Sequence, residues 1–352
     1  GHHRPACFST LSVNSLGQRP IRLWRKALAI MSSISILLGI ILISFIIHAT
    51  AVVPFINLLY RVKFFKRKTA VIASMTDTAS VHIRSKSRTP EGGGLLIIVI
   101  TSLIFAALLP LFKLLGVNIT HVYPINEEIN VIFFTFLAFG LLGLYDDIVK
   151  YFELDRDLGY AGLKTRNKFA IQTVLGLIIG SLMYFNLHIS IINIPFIGVM
   201  NLGFWFIPVA AFVVITFANA VNITDGMDGL AGGLLMIGLF GFLMLSVSVL
   251  DTPISIFIAL WLGGLIAFLY FNVYPARIFM GDAGAMAFGA TLAVIGLLLG
   301  KTIALLVVGA PFLVDGASSL LQIVSVKLTG KRLLPIAPIH YWLLKIGWTE
   351  PK

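Results

Sequence analysis

The chain has 352 residues, of which 58% are hydrophobic and only 12% are charged, a balance that excludes an ordinary water-soluble globular protein. Its formal net charge of +11 would also suit a protein that binds nucleic acid. An apolar chain with basic loops is better explained by membrane topology and anionic lipid headgroups, so we expect a lipid bilayer and no nucleic acid as partner. The single cysteine, Cys7, excludes an internal disulfide framework and a cysteine-rich metal site.

The first 30 residues differ in character from the rest. They carry two adjacent histidines, two prolines and five basic residues before an apolar run that starts near Met31. We interpret residues 1–30 as a leader that is not native, with Met31 as the natural start; a genuine amphipathic presequence is the alternative. Residues 31–352 are then one transmembrane domain.

Nine apolar runs are long enough to cross a hydrocarbon core of about 30 Å. Several are rich in glycine and alanine, which lets helices approach one another closely in lipid. The prediction is an all-α polytopic membrane bundle with spans at residues 32–60, 93–115, 129–146, 169–186, 204–221, 229–249, 254–273, 284–300 and 302–325.

The distribution of lysine and arginine predicts the orientation of these spans. Residues 61–88 and 150–168 are rich in both, whereas residues 116–128 and 187–203 contain neither. Because positively charged loops stay on the cytoplasmic side, we expect the first two segments to face the cytoplasm and the first span to begin outside. The segment after residue 326 then lies in the cytoplasm.

Acidic residues are concentrated on the same predicted face. Of 15 acidic residues, five lie at cytoplasmic span ends or turns: Asp146, Asp147, Asp225, Asp228 and Asp282. Any one of them could simply cap a helix, but carboxylates at span ends are costly unless they are paired or bind a cation. The set therefore predicts a shared site, and its oxygen ligands favour Mg²⁺ or Mn²⁺ completed by a diphosphate substrate.

Basic and glycine-rich segments beside these acids suit phosphate chemistry. Lys150 and Lys168 could neutralise phosphate charge in a transition state, although membrane topology alone accounts for any single lysine. Residues 89–94, Thr-Pro-Glu-Gly-Gly-Gly, open the second span. They are a candidate for holding phosphate through backbone N–H groups at a helix N-terminus.

From about residue 31 to 352, the chain resembles the polyprenyl-phosphate N-acetylhexosamine-1-phosphate transferase superfamily. The resemblance lies in residues 89–94, in Leu-Tyr-Asp-Asp at 144–147, in Asn-Ala-Val-Asn-Ile-Thr-Asp-Gly-Met-Asp-Gly at 219–229 and in Ile-Phe-Met-Gly-Asp-Ala-Gly at 278–284. The tail at 327–332, 337–340 and 347–351 is similar to the phospho-N-acetylmuramoyl-pentapeptide transferases, also called translocase I. Within the superfamily, that resemblance favours a muramoyl-pentapeptide nucleotide as the substrate.

The resemblance implies transfer of phospho-N-acetylmuramoyl-pentapeptide from its UDP carrier to undecaprenyl phosphate, giving lipid I and UMP. It implies Mg²⁺, a bacterial cytoplasmic membrane with a cytoplasmic site, and a homodimer. The implied catalytic residues are Asp146, Asp147, Asp282 and His340, and the implied metal ligands are Asp282 and Asp225. The implied substrate-binding residues are Lys86, Thr89, Lys150, Lys168, Asn222, Asp225, Asp228 and Asn272. Asp315, where the family usually has Glu, is interpreted as an interhelical contact.

Three departures from the family pattern keep other functions open. The usual run of three histidines, Phe and Glu is replaced by His340-Tyr-Trp-Leu-Leu344, and residues 89–94 are closer to relatives that transfer GlcNAc-1-phosphate. The family has ten spans, so we expect a truncation after Lys352. The alternatives are a transferase that uses UDP-GlcNAc or a related nucleotide, an ion-coupled transporter, and an inactive membrane scaffold.

Overall fold

The computed structural model describes residues 14–64, 89–114, 119–152, 163–194 and 198–351. Lys86 and most of the basic segment 61–88 lie outside these ranges. The helices are α1 Asn14–Val62, α2 Gly93–Leu114, α3 Ile125–Phe152, α4 Thr165–Phe185, α5 Phe206–Thr224, α6 Leu230–Ser248, α7 Thr252–Asn272, α8 Gly281–Leu298, α9 Thr302–Thr329 and α10 Ile339–Lys345. A short 3₁₀ turn, Gly203–Trp205, precedes α5.

The all-α membrane bundle is confirmed. Within the described ranges, nine helices, α1 to α9, are long and apolar enough to span a membrane. The protein is therefore a multi-pass membrane protein. Polar ends extend several helices beyond the apolar runs: α3 begins at Ile125 rather than 129, and α8 begins at Gly281 rather than 284. Backbone hydrogen bonding continues past the apolar stretch, so an apolar run marks the lipid-facing part of a helix and not its ends.

Two central helices organise the bundle. In the most apolar part of each helix, 94% of α8 and 83% of α7 is buried inside the protein. The corresponding share in α1, α2 and α9 is only 22% to 33%. Helix α8 packs mainly on α3 and α5, and α7 packs mainly on α1. The outer helices turn many large apolar side chains outward, including Leu38, Leu103 and Leu320, as expected for contact with lipid.

Glycine lets α3 and α2 approach α8 at backbone distance. A Cβ on Gly143 would lie 2.2 Å from the carbonyl oxygen of Asp282, and a Cβ on Gly94 would lie 2.2 Å from Cα of Gly284. No side chain fits at either position without a shift of the backbone. These contacts bring the end of α3 and the start of both α2 and α8 to one end of the bundle, which we call the site end.

Two elements of the fold were not predicted. A two-stranded antiparallel hairpin, Ile191–Ile194 with Gly198–Asn201, lies between α4 and α5, and Ile191 pairs with Asn201. Helix α10, Ile339–Lys345, follows α9. Both are short and lie outside the spans, where hydropathy has no periodic signal that would separate them from loops.

At the opposite end of the bundle, two carboxyl groups face one another inside the protein. Glu128 in the first turn of α3 and Asp251 before α7 are 0% and 1% exposed. Asp251 caps α7 by accepting a hydrogen bond from the backbone N–H of Ile254 at 3.2 Å. Burial raises the pKa of the Asp251 carboxyl above its usual range, against hydrogen bonds and His121, which lower it.

Replacing Asp251 with asparagine is expected to stabilise the protein at neutral pH. Because the pKa of Asp251 is raised on folding, its protonated form favours the folded state; this contribution is complete below about pH 4 and is lost as pH rises through the folded-state value. Asparagine keeps the cap without the charge. Thermal unfolding in detergent should show a gain on the order of 1 kcal/mol at pH 7.5 that disappears near pH 4.

Asp251→Ala is the matched control, because it removes the charge and the cap together. It should gain less than Asp251→Asn at every pH. Equal melting temperatures for wild type and Asp251→Asn across the whole pH range would contradict the assignment.

Candidate active site

Asp147, near the end of α3, holds the start of α8. Its two carboxylate oxygens accept the backbone N–H groups of Asp282 at 3.2 Å and Ala283 at 3.1 Å. The first N–H groups of a helix have no partner within that helix, and here a buried carboxylate from a neighbouring helix satisfies two of them. The sequence prediction placed Asp147 among the catalytic residues; the structure places it where it fixes the backbone of Asp282.

Gly281 makes this close approach possible. Its φ is +78°, and a Cβ there would lie 3.0 Å from Oδ2 of Asp147. An L side chain is disfavoured in this conformation, and it would also press on the capping carboxylate. The Met-Gly-Asp-Ala-Gly order at 280–284 therefore sets the position of the Asp282 side chain.

Asp282, Asp146, Lys150 and Lys168 form one cluster of four charges, here called the charge cluster. Oδ2 of Asp282 is 2.7 Å from Nζ of Lys150 and 2.9 Å from Nζ of Lys168. Oδ2 of Asp146 is 3.1 Å and 2.9 Å from the same two nitrogens. Each ammonium group thus bridges two carboxylates, and the formal charges balance within the cluster.

Burial makes the charge cluster strong. The Asp146 and Asp282 side chains are 3% and 16% exposed, and those of Lys150 and Lys168 are 31% and 17% exposed. Charges in such a partly water-excluded place interact more strongly than on an open surface, and each depends on its partners. The sequence predicted all four as site residues, and the structure brings all four together, from α3, α4 and α8.

The last turn of α5 adds an amide to the charge cluster. With its amide oriented to satisfy both neighbours, Asn222 donates to Oδ1 of Asp282 at 3.2 Å and accepts from Lys168 at 3.3 Å. The other oxygen of Asp146, Oδ1, accepts the backbone N–H of Leu163 at 2.7 Å. Asn222 was predicted to bind substrate, and it lies directly beside the carboxylate predicted to bind metal.

Asp228 and Asn272 shape the 222–229 turn. Oδ2 of Asp228 accepts the backbone N–H of Ala276 at 2.9 Å. Asn272, 1% exposed at the end of α7, accepts from the N–H of Gly229 at 3.1 Å and donates to the carbonyl of Ile278 at 2.9 Å. Asn272 is thus occupied by backbone on both sides. The structure assigns these contacts to the joint between the α5–α6 and α7–α8 turns.

A metal ion at this site would take some of its ligands from the protein and the others from substrate and water. Asp225 is half-buried in the 222–229 turn. Within the described ranges, no three His, Cys, Asp or Glu side chains are grouped closely enough to hold a metal ion by themselves. The oxygen-only donors of Asp282 and its neighbour Asn222 nevertheless fit Mg²⁺, which commonly takes one or two carboxylates and completes its shell with substrate phosphate and water.

The glycine-rich segment 89–94 does not present its glycine N–H groups to a phosphate. The N–H groups of Gly92 and Gly93 donate to the carbonyl of Phe279 at 3.1 and 2.8 Å, and that of Gly94 donates to the carbonyl of Met280 at 2.9 Å. The predicted phosphate cradle is wrong for these three donors, which instead tie α2 to the start of α8. Thr89, predicted to bind substrate, is half-buried at the head of the segment.

The segment after α9 closes over the 222–229 turn. Nδ1 of His340 is 2.7 Å from Oδ2 of Asp315, and the hydroxyl of Tyr341 donates to the carbonyl of Gly226 at 3.3 Å. Glu350 accepts the backbone N–H of Asp228 at 3.3 Å. The interpretation of Asp315 as an interhelical contact is confirmed, because its partner His340 lies in a second helix, α10.

Sequence reasoning missed Glu350 and Tyr341 as contacts of this turn, and it missed the pairing of Asp315 with His340. A partial signal existed, since an acid within an apolar span is costly and demands a partner. The partner itself lies 25 residues away in a segment without a periodic pattern. Its identity could not be read from spacing.

Comparison with known proteins agrees with this arrangement. The family model described as glycosyl transferase family 4 matches residues 129–300. The phospho-N-acetylmuramoyl-pentapeptide-transferase of Clostridium perfringens (strain SM101 / Type A) is 33% identical over 313 residues, which cover 89% of this chain and 89% of the relative. That of Staphylococcus aureus (strain bovine RF122 / ET3-1) is 36% identical over 274 residues, covering 76% and 80%.

A third relative of the same name, from Caldanaerobacter subterraneus subsp. tengcongensis, is 35% identical over 280 residues, covering 78% of this chain and 81% of the relative. Identity at this level over most of both chains confirms the resemblance found in the motifs. The chain belongs to the phospho-N-acetylmuramoyl-pentapeptide-transferase family, within the glycosyl transferases of family 4.

Proposed function

We propose that this protein transfers phospho-N-acetylmuramoyl-pentapeptide from UDP to undecaprenyl phosphate, giving lipid I and UMP. The observation that carries the proposal is the charge cluster at the site end of the bundle, where two lysines bridge Asp146 and Asp282. Two cations and two carboxylates at the end of apolar helices suit a reaction between a membrane-held phosphate and a soluble diphosphate. The names of the relatives supply the substrate class.

In the proposed reaction, an oxygen of undecaprenyl phosphate attacks the sugar-bound phosphorus of the nucleotide. A new P–O bond forms, the bond to the UMP oxygen breaks, and UMP leaves with the electron pair. Lys150 and Lys168 would turn from the carboxylates to the phosphate oxygens and offset charge as it shifts to the leaving group. Both ammonium groups lie within 3.1 Å of both carboxylates, so they are already at the site where the phosphates would react.

Asp146 is the better candidate for contact with the lipid phosphate. Both oxygens of Asp147 accept backbone N–H groups of α8, whereas Oδ2 of Asp146 contacts the ammonium groups of Lys150 and Lys168. Asp146 could accept a proton from the lipid phosphate before attack. Asp147 would then serve the reaction by holding Asp282 in place.

We propose Mg²⁺, with Mn²⁺ as a substitute, as the cofactor. Asp282 would hold it, with Asp225 as the second carboxylate and Asn222 alongside. When bound, the ion would neutralise charge on the diphosphate. Support comes from the carboxylate of Asp282 and the amide of Asn222 beside it, which offer oxygen ligands of the kind that Mg²⁺ prefers.

We place the protein in the bacterial cytoplasmic membrane, with the charge cluster at the cytoplasmic face. In the sequence, the lysine- and arginine-rich segments 61–88 and 150–168 join α1 to α2 and α3 to α4. Segments 116–128 and 187–203, which contain neither residue, join α2 to α3 and α4 to α5. A homodimer is part of the proposal on the family resemblance alone.

A transferase that uses UDP-GlcNAc is the second candidate. The run Glu-Gly-Gly-Gly at 91–94 and the loss of two histidines after His340 favour it. The names of the relatives do not, since those described above are muramoyl-pentapeptide transferases. An ion-coupled transporter is less well supported, because the carboxylates of the charge cluster lie at span ends and not at the membrane midplane.

The test is release of UMP by the full chain in detergent with undecaprenyl phosphate and Mg²⁺. UDP-MurNAc-pentapeptide and UDP-GlcNAc are compared as donors at equal concentration. We expect release from the muramoyl donor only. Release from UDP-GlcNAc alone would transfer the assignment to the second candidate, and no release from either donor would contradict an enzymatic role.

A further inference from the structure

His340 is held by a single carboxylate from two directions. Its side chain lies in the first turn of α10, and the residue is only 5% exposed. Nδ1 is 2.7 Å from Oδ2 of Asp315, and the backbone N–H of His340 donates to Oδ1 of the same residue at 3.3 Å. Because Asp315 binds both the ring and the backbone, the imidazole has one orientation.

The other ring nitrogen points at the 222–229 turn. Nε2 of His340 is buried, and it has no hydrogen-bond partner within the described residues. A Cβ on Gly226 would lie 2.6 Å from it, so only glycine leaves the ring room at this place. A buried polar nitrogen without a partner is costly, and its direction indicates that a ligand supplies the partner.

A polar stripe on α9 keeps the whole segment in register. Asp315, Ser318 and Gln322 lie three and four residues apart and so share one face of the helix. Oγ of Ser318 accepts the N–H of Ile339 at 3.1 Å, and Oε1 of Gln322 accepts the N–H of Leu334 at 2.9 Å. The position of His340 is thus set by contacts with a spanning helix.

We propose that Asp315 is a positioning residue that fixes the tautomer of His340, so that Nε2 accepts a hydrogen bond from a hydroxyl or N–H group of the sugar nucleotide. A carboxylate that accepts from Nδ1–H leaves the lone pair on Nε2 of the neutral ring. The inference rests on the proposed function, since the sugar nucleotide is the ligand. It assigns Asp315 a role through His340 and no contact with substrate.

The kinetic test compares Asp315→Asn and Asp315→Glu with wild type. An asparagine can present an N–H to Nδ1 and so favour the other tautomer, which turns Nε2 into a donor. We expect Asp315→Asn to raise the KM of the sugar nucleotide about tenfold and to change the KM of undecaprenyl phosphate by less than about twofold. Asp315→Glu, which restores the carboxylate, should recover most of the difference. An unchanged nucleotide KM in a folded Asp315→Asn protein would overturn the proposal.

A second measurement does not depend on activity. Two-dimensional NMR of the ¹⁵N-histidine-labelled protein in detergent reports which ring nitrogen carries the proton, and His340→Gln identifies the resonances of His340. We expect protonated Nδ1 in wild type and in Ser318→Ala, which disturbs the same segment without touching the ring, and a changed tautomer in Asp315→Asn. Protonated Nε2 in the wild type would overturn the proposal even where Asp315→Asn does not fold.

The two tests separate this inference from the proposed function. If the wild type released no UMP from any donor, the proposed function would fail, while the NMR result would still decide whether Asp315 sets the tautomer of His340. If UMP were released normally and the tautomer were independent of Asp315, only the present inference would fail.

Discussion

Asp282→Asn is expected to lower kcat for UMP release by roughly 10³-fold or more. The substitution removes the carboxylate that both lysines contact and the proposed metal ligand, while it preserves the size of the side chain. Lys150 and Lys168 would then face one carboxylate, Asp146, instead of two. Steady-state UMP release at saturating concentrations of both substrates measures the effect, together with its dependence on Mg²⁺ concentration.

Asp251→Asn is the matched control for this substitution. It makes the same chemical change at the opposite end of the bundle, where Asp251 caps α7 and is remote from the charge cluster. It should leave kcat within about twofold of wild type, because no reacting group is near it. If Asp282→Asn kept more than about a tenth of the wild-type kcat, Asp282 would not be the central carboxylate of the site.

Asp147→Ala is expected to lower the free energy of unfolding by about 3 kcal/mol. The change leaves the buried N–H groups of Asp282 and Ala283 at the start of α8 without an acceptor. Activity should fall with stability, because the backbone that carries Asp282 loses its anchor. Thermal or denaturant unfolding in detergent measures the first effect and UMP release the second.

Asp147→Asn sharpens the interpretation, since it retains one oxygen as an acceptor. It should destabilise the protein by less than Asp147→Ala and keep correspondingly more activity. A different result, in which both variants melt like wild type but are inactive, would show that Asp147 acts in the chemistry and that its contacts with α8 contribute little to stability.

The candidate site was predictable from sequence to an unusual degree because its members are polar residues in an apolar chain. Four charged residues stand out at span ends: Asp146, Lys150, Lys168 and Asp282. Successive spans run in opposite directions, so these ends lie on one face of the membrane. The spacing of residues in the sequence could not reveal that adjacent residues have different roles. Asp146 and Asp147 look equivalent in sequence, yet they point to the lysines and to the N-terminus of α8, respectively.

The glycine-rich segment 89–94 shows why a local motif can mislead. A helix N-terminus with three glycines is a reasonable phosphate site when considered alone. In the folded protein, the N–H groups of Gly92, Gly93 and Gly94 are taken by carbonyls of Phe279 and Met280, nearly 190 residues later in the chain. Backbone donors are satisfied by whichever acceptor the tertiary structure brings near, and no local pattern records that acceptor.

The sequence by itself determined the membrane bundle, the nine spans that fall in the described part of the chain, and the family, because each depends on composition, hydropathy and contiguous motifs. Only the tertiary structure decided that Asp147 caps α8, that Asp315 binds His340 and that Nε2 of His340 faces Gly226. The physical reason is that the first group of properties is summed over neighbouring residues. The second requires directional hydrogen bonds between residues far apart in the chain, whose geometry exists only after the helices have packed.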